Sequence, residues 1–227
     1  MVQLKRIKAF FLAKRGQHVN TCFILLFISF LFATFDYFGS VTVLYTKHYP
    51  LCWDSELIGY YMAVGTGFTG LGIFVGFKVL GKIFSECILV IIGCSLYLIN
   101  KIMIGFSTTT LMMFLSCIPA VFATLAPPTI RSLASKMVEP HEQGTLCSIL
   151  GIVEALAQVL SPLMINFLYP IGLTKLHVIG FIYFIQAGVL LIPIVLFSII
   201  DYLTRKHDHI LNATFDEDGL SNSLIQT

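Results

Sequence analysis

Long apolar stretches separated by short polar hinges run from about residue 20 to residue 200 of this chain. Six of them, at roughly 20–45, 57–77, 87–105, 109–128, 145–169 and 177–200, match the run of about 20 apolar residues that a helix needs to cross hydrocarbon. The connections between them are short, as in a compact helical bundle. A basic segment, residues 1–19, precedes the first stretch, and a polar tail, residues 201–227, follows the last. The pattern predicts an all-α membrane protein, a six-transmembrane-helix bundle over residues 20–200.

Composition sharpens that expectation. Of the 227 residues, 57% are hydrophobic and 11% are charged, against about 25% charged in soluble domains. Mean hydropathy is +0.88, so most of the surface must face lipid rather than water. A net charge of +2 with no basic stripe interleaved with aromatics argues against nucleic-acid binding. The start, Met1 to Lys8, is basic, but the apolar run after Val19 is longer than a signal-peptide core and lacks a small-x-small exit. That run is expected to remain as the first span.

Lysine and arginine placement predicts the orientation, because positive flanks stay on the cytoplasmic side. With the amino end inside, the inner flanks hold Lys5, Arg6, Lys8, Lys14, Arg15, Lys78, Lys82, Arg131, Lys136, Arg205 and Lys206. The outer flanks hold only Lys47, Lys101 and Lys175. Both termini are therefore expected in the cytoplasm, where the Asn212-Ala-Thr214 acceptor would not meet the glycosylation machinery.

A charge inside a span costs about 2.5–3.5 kcal/mol on insertion scales and needs a reason. Two acids fall in this position. Asp36 follows Ser29 by seven residues and precedes Ser40 by four, while Glu154, Gln158 and Ser161 are spaced i, i+4 and i+7. Each set makes a polar stripe on an apolar helix. Such a stripe lines a wet cavity carrying substrate or protons, or it forms a hydrogen-bonded packing face between helices. The second span carries Gly59, Gly65, Gly67, Gly70, Gly72 and Gly76. Thr66-x-x-x-Gly70 and Gly72-x-x-x-Gly76 are small-x-x-x-small pairs, expected to pack helices closely.

Pro127-Pro128 must break or end the fourth span, since each proline withholds a backbone donor. Arg131 follows at the inner edge. It either snorkels to the interface or latches an inner gate by pairing with an acid such as Glu142 or Glu86. Cysteines 22, 52, 87, 94, 117 and 147 are scattered without metal-ligand spacing, and no metal or cofactor is expected. All six histidines fall in loops, tails or span edges. With no Gly-x-Ser-x-Gly and no His-Glu-x-x-His, an intramembrane enzyme is disfavoured.

Three stretches carry a resemblance: Val43 to Tyr60, with Pro-Leu-Cys-Trp-Asp at its centre; Phe106 to Leu115; and Pro128 to Ser148, with Arg-Ser, Ser-Lys and Glu-Gln-Gly. Together they resemble the second half of the solute carrier family 46 transporters, the branch of the major facilitator superfamily that contains the proton-coupled folate transporter and the thymic stromal cotransporter. The resemblance implies that the six spans are the seventh to twelfth of a twelve-span fold. It implies transport of organic anions or amphiphiles, often with protons, across a plasma or lysosomal membrane. It matches Arg131 to the arginine that follows the family's tenth span. In place of the histidine that the folate transporter uses in proton coupling, this span reads Phe35-Asp36, leaving Asp36 as the candidate proton carrier.

The expected function is secondary transport of a small organic solute by a transporter half. The alternative is a non-transporting membrane protein that binds a full-length relative. Either reading calls for a partner, whether the missing amino-terminal half or a second copy. Cys52, in an outward loop, is expected either to bridge to that partner or to stay a free thiol beside Trp53.

Overall fold

A computed structural model describes the backbone of residues 17–37, 41–172 and 180–225, and side chains over 22–34, 41–168, 172 and 180–203. The expected basic segment up to residue 16, Lys175, and the side chains of Asp36 and of the tail beyond Leu203 lie outside the described residues.

The described residues form eight helices, in order α1 (Gln17–Tyr37), α2 (Val41–Lys47), α3 (Ser55–Ile83), α4 (Glu86–Gly105), α5 (Thr110–Ala123), α6 (Ala126–Lys136), α7 (Gln143–Ile171) and α8 (Phe181–Ile225). Among the described residues there is no strand. Among the described residues five segments are long and apolar enough to cross a membrane: Ser55–Ile83, Glu86–Gly105, Thr110–Lys136, Gln143–Leu168 and Phe181–Leu203. The apolar part of α1 is shorter, Cys22–Thr34, and the expected first span, 20–45, falls across α1 and the start of α2.

Local chemistry explains several boundaries. Asp54 caps α3 by accepting from the Leu57 amide at 3.0 Å, and Thr109 caps α5 by accepting from Met112 at 3.3 Å. The fourth expected span is two helices. Its carbonyl ladder stops at Thr124, and α6 begins with Pro127 and Pro128 in its first turn, where a missing N–H is tolerated.

The bundle has two buried clusters at opposite ends. One joins Phe23, Leu26 and Phe30 of α1, Val90 and Cys94 of α4, Ile130 and Ala134 of α6, Leu146 and Leu150 of α7, and Phe197 of α8. This end also carries Arg131 and Lys136, and is called the basic end below. The other joins Tyr45, Trp53, Ile58, Tyr61, Ile104, Met113, Ile165 and Tyr183. Trp53 anchors it, donating from Nε1 to Thr110 Oγ1 at 3.0 Å with its ring 5.6 Å from that of Tyr61.

Glycines set the closest approaches. A Cβ on Gly72 would strike the Val121 carbonyl of α5, and one on Gly76 would sit 2.7 Å from Leu125. At the far end, a Cβ on Gly180 would strike the Gly105 backbone. Lipid tails supply no hydrophobic drive between spans, so such backbone contact carries much of the packing. Gly65 and Gly70 have open space where a Cβ would be. Of these four glycines the close seam of α3 is therefore confined to Gly72, against the Val121 carbonyl of α5, and Gly76, against the Leu125 side chain at the α5–α6 break.

Candidate functional site

Three polar sites stand out among the described residues. At the basic end, Arg131 on α6 forms an ion pair with Glu154 on α7, with Nη2 donating to Oε2. The side chains remain 45% and 31% exposed, and the guanidinium lies 5.5 Å from the centre of the Phe30 ring. Glu86, on the first turn of α4, accepts from Ser132 Oγ and Lys136 Nζ of α6, each at 2.9 Å. α6 is thus tied by charge to α4 on one side and to α7 on the other.

The sequence left Arg131 either to snorkel or to pair with an acid such as Glu142 or Glu86, and the acid it meets is Glu154. Glu86 is occupied from the same helix by Ser132 and Lys136, and Arg131, one residue earlier, points across to α7. The Glu154 stripe also divides. Gln158 is exposed, Ser161 is fully buried with its hydroxyl unpartnered among the described residues, and Glu154 is half-buried. A step of four residues turns a helix about 40° one way and a step of seven about 20° the other. Glu154 sits at the margin of the buried face, so those small turns carry Gln158 out and Ser161 in. On α1, Ser29 is fully buried and returns its hydroxyl to the Leu25 carbonyl at 2.8 Å.

The second site is the break between α5 and α6. A small cavity there is lined by Ala33 of α1, Cys94 and Tyr97 of α4, Thr124 and Pro127 at the break, and Leu190 of α8. Thr124 is buried and its hydroxyl has no hydrogen-bond partner among the described residues.

The third was missed in the sequence. Lys101 was counted among the outer-flank lysines, near the end of the expected 87–105 span, but it lies within α4 and is only 6% exposed. Its Nζ donates to Gln186 Oε1 of α8 at 3.2 Å and stands 4.8 Å from the Tyr97 ring and 5.7 Å from the Tyr183 ring. Such ring faces attract a cation. Tyr183 is itself buried and donates to Thr42 Oγ1 at 3.4 Å, while Tyr45 donates to the Ser107 carbonyl at 2.8 Å. The available signal was the spacing Tyr97–Lys101, one helical turn that places ring and amine on one face.

α3 and α7 are the least covered spans. Leu71, Phe74, Val75 and Val79 of α3, and Leu156, Val159, Leu163 and Phe167 of α7, are all exposed. Cys52 is exposed in its loop with a positive φ of 47°.

A bundle of apolar spans with buried interhelical polar contacts defines a multi-pass integral membrane protein. The family model described as Major Facilitator Superfamily matches residues 25–219. Similar proteins include the lysosomal proton-coupled steroid conjugate and bile acid symporter of Bos taurus, 33% identical over 193 residues, or 84% of this chain and 41% of that protein. The symporter of the same name from Gallus gallus is 35% identical over 173 residues, 75% of this chain and 36% of that protein. The proton-coupled folate transporter of Rattus norvegicus is 31% identical over 167 residues, 73% and 36% respectively. The chain belongs to the major facilitator superfamily, in the solute carrier family 46 branch. It spans about two-fifths of the length of the curated relatives it matches.

Proposed function

We propose that this chain forms the carboxy-terminal part of a proton-coupled secondary transporter for an organic anion or amphiphile. The observation that carries the reading is the Arg131–Glu154 pair, bridging two spans in a chain of this superfamily. Transporters of this kind rock helices about a fixed site, so a gate contact must both form and break. An ion pair this exposed is worth about 0–1 kcal/mol, which suits a contact broken in every cycle. Arg131 is the latch and Glu154 its catch. In this reading the basic end is cytoplasmic, as are both termini, and the membrane is plasma or lysosomal. The substrate class follows the relatives, whose names specify steroid conjugates, bile acids and folate.

The uncovered faces of α3 and α7 support a partner, either further transporter sequence or a second copy. Gly65, Gly70 and Gln158 belong to that face as packing and pathway residues. Cys52 is proposed as its outward disulfide position. Asp36 is proposed as the proton carrier.

The test is uptake of a labelled bile acid into membrane vesicles from cells expressing the native protein that carries this sequence. An inward proton gradient raises uptake, and Asp36→Asn removes the increase at unchanged surface expression. Uptake indifferent to the gradient, or an Asp36→Asn protein that keeps the full response, contradicts the reading.

A further inference from the structure

The hydrogen-bond ladder fails at the join of α5 and α6, while the backbone there stays close to helical. Thr124 has φ −80° and ψ 3°, and Leu125 has φ −70° and ψ −27°. In an unbroken helix the carbonyls of Ala123 and Thr124 would accept from the amides of residues 127 and 128. Both of those residues are prolines and have no N–H. Among the described residues no other backbone amide takes their place. Thr124 adds a third unsatisfied oxygen. Thr34 and Thr129 return their hydroxyls to a carbonyl four residues back, whereas the buried Thr124 hydroxyl has no partner among the described residues.

Ala123 and Thr124 both line the cavity that α1, α4 and α8 close against the break. About 10 Å³ of it is open to the centre of a water molecule, close to the roughly 10–15 Å³ that one buried water needs. A buried water makes about three hydrogen bonds. Here it can donate to the Ala123 and Thr124 carbonyls and accept from Thr124 Oγ1. Three neutral oxygens suit water better than a metal ion, which takes more ligands or a carboxylate. Ala33, Ala126, Pro127 and Leu190 supply apolar wall around the same space.

We infer that one water molecule occupies the break, bound by Thr124 Oγ1 and the Ala123 and Thr124 carbonyls, and that it makes the break a hinge for α6. Proline and water inserted in the carbonyl ladder are both established causes of helix bending. Bonds from a water can re-form as the angle between α5 and α6 changes, where a direct N–H to carbonyl bond would have to break. The pivot itself is braced. Gly93 of α4 lies so close that a Cβ there would sit 3.2 Å from the Ala126 nitrogen and 3.5 Å from the Phe122 carbonyl oxygen. α6 is the arm that swings, and it carries Arg131 and Lys136 with their partners on α7 and α4. The hinge rests on the proposed latch, since a latch has to travel, but the water site does not.

Radiolytic footprinting of the full chain in detergent tests the water, because a brief X-ray pulse turns bound water into hydroxyl radicals that oxidise the nearest side chains. Cys94 lines the cavity and Cys117 does not, yet each is only 2% exposed. Cys94 should be oxidised several-fold faster than Cys117, and a water-soluble methanethiosulfonate, too large for the cavity, should leave it untouched. Thr124→Val keeps the shape, removes the hydroxyl and should bring Cys94 down to the Cys117 rate, while Thr124→Ser keeps the difference. Equal rates in the unsubstituted chain, a rate unmoved by Thr124→Val, or reaction of Cys94 with the methanethiosulfonate would each overturn the water site. Pro127→Ala combined with Pro128→Ala supplies the missing donors, and should slow amide hydrogen exchange over residues 129–136 several-fold. Exchange unchanged in that variant would overturn the hinge. Neither readout involves solute movement, so failure here leaves the transport reading to its own uptake test.

Discussion

Arg131 and Lys101 are both cations at helix–helix contacts, yet they are held in opposite ways. Arg131 meets a carboxylate at the rim, 45% exposed. Lys101 is 6% exposed, and its contacts include an amide oxygen and two tyrosine rings. Water screens the first pair and makes it inexpensive to break. Burial makes the second costly to disturb, since any group left unsatisfied there bears its full desolvation cost. The contrast fits the proposed division of work: the rim pair as a latch that opens and closes, and the buried corner as a contact that holds the helices in register.

Substitutions at each corner should separate these roles. Gln186→Leu removes the amide acceptor of Lys101 and should cost the most, about 1–3 kcal/mol, because the lost bond is to a buried charge. It reads as a lowered unfolding midpoint in detergent. A midpoint unchanged by Gln186→Leu would break the comparison. Glu154→Gln should cost no more than about 1 kcal/mol while impairing uptake, since an exposed pair contributes little to stability. Lys136→Ala, at a side chain 67% exposed, should change stability by less than about 0.5 kcal/mol and serves as the baseline for both. A Glu154→Gln midpoint falling as far as that of Gln186→Leu would mean that the rim pair is structural rather than a latch.

The spans were legible because lipid imposes one rule on every residue facing it, and hydropathy reads that rule directly. The break in the fourth span was legible for a similar reason: Pro127 and Pro128 lack donors wherever they stand. What hydropathy could not give was the direction of each polar group around its helix. Glu154, Gln158 and Ser161 looked like one stripe, but α7 turns just enough to divide them between rim, open face and interior. Gly72 and Gly65 are seven residues apart on one helix, and only the first meets a neighbouring backbone. Lys101 was read as a flank charge because Asn100 and Lys101 interrupt the apolar run near the end of the expected 87–105 span, where a lysine ordinarily reaches the interface. In the structure both are buried, with Asn100 donating to the Ser116 carbonyl at 2.7 Å. The partner of Arg131 was hidden because Glu154 lies 23 residues onward and on another helix.

The most direct test of the latch is charge reversal at its two residues, read as proton-driven uptake of a labelled bile acid into vesicles. The account predicts that Arg131→Glu and Glu154→Arg each abolish uptake, and that the double reversal restores a substantial part of it. If the double variant stays as inactive as the singles while reaching the membrane in equal amount, the two residues do not act as a pair and the proposed gate is contradicted.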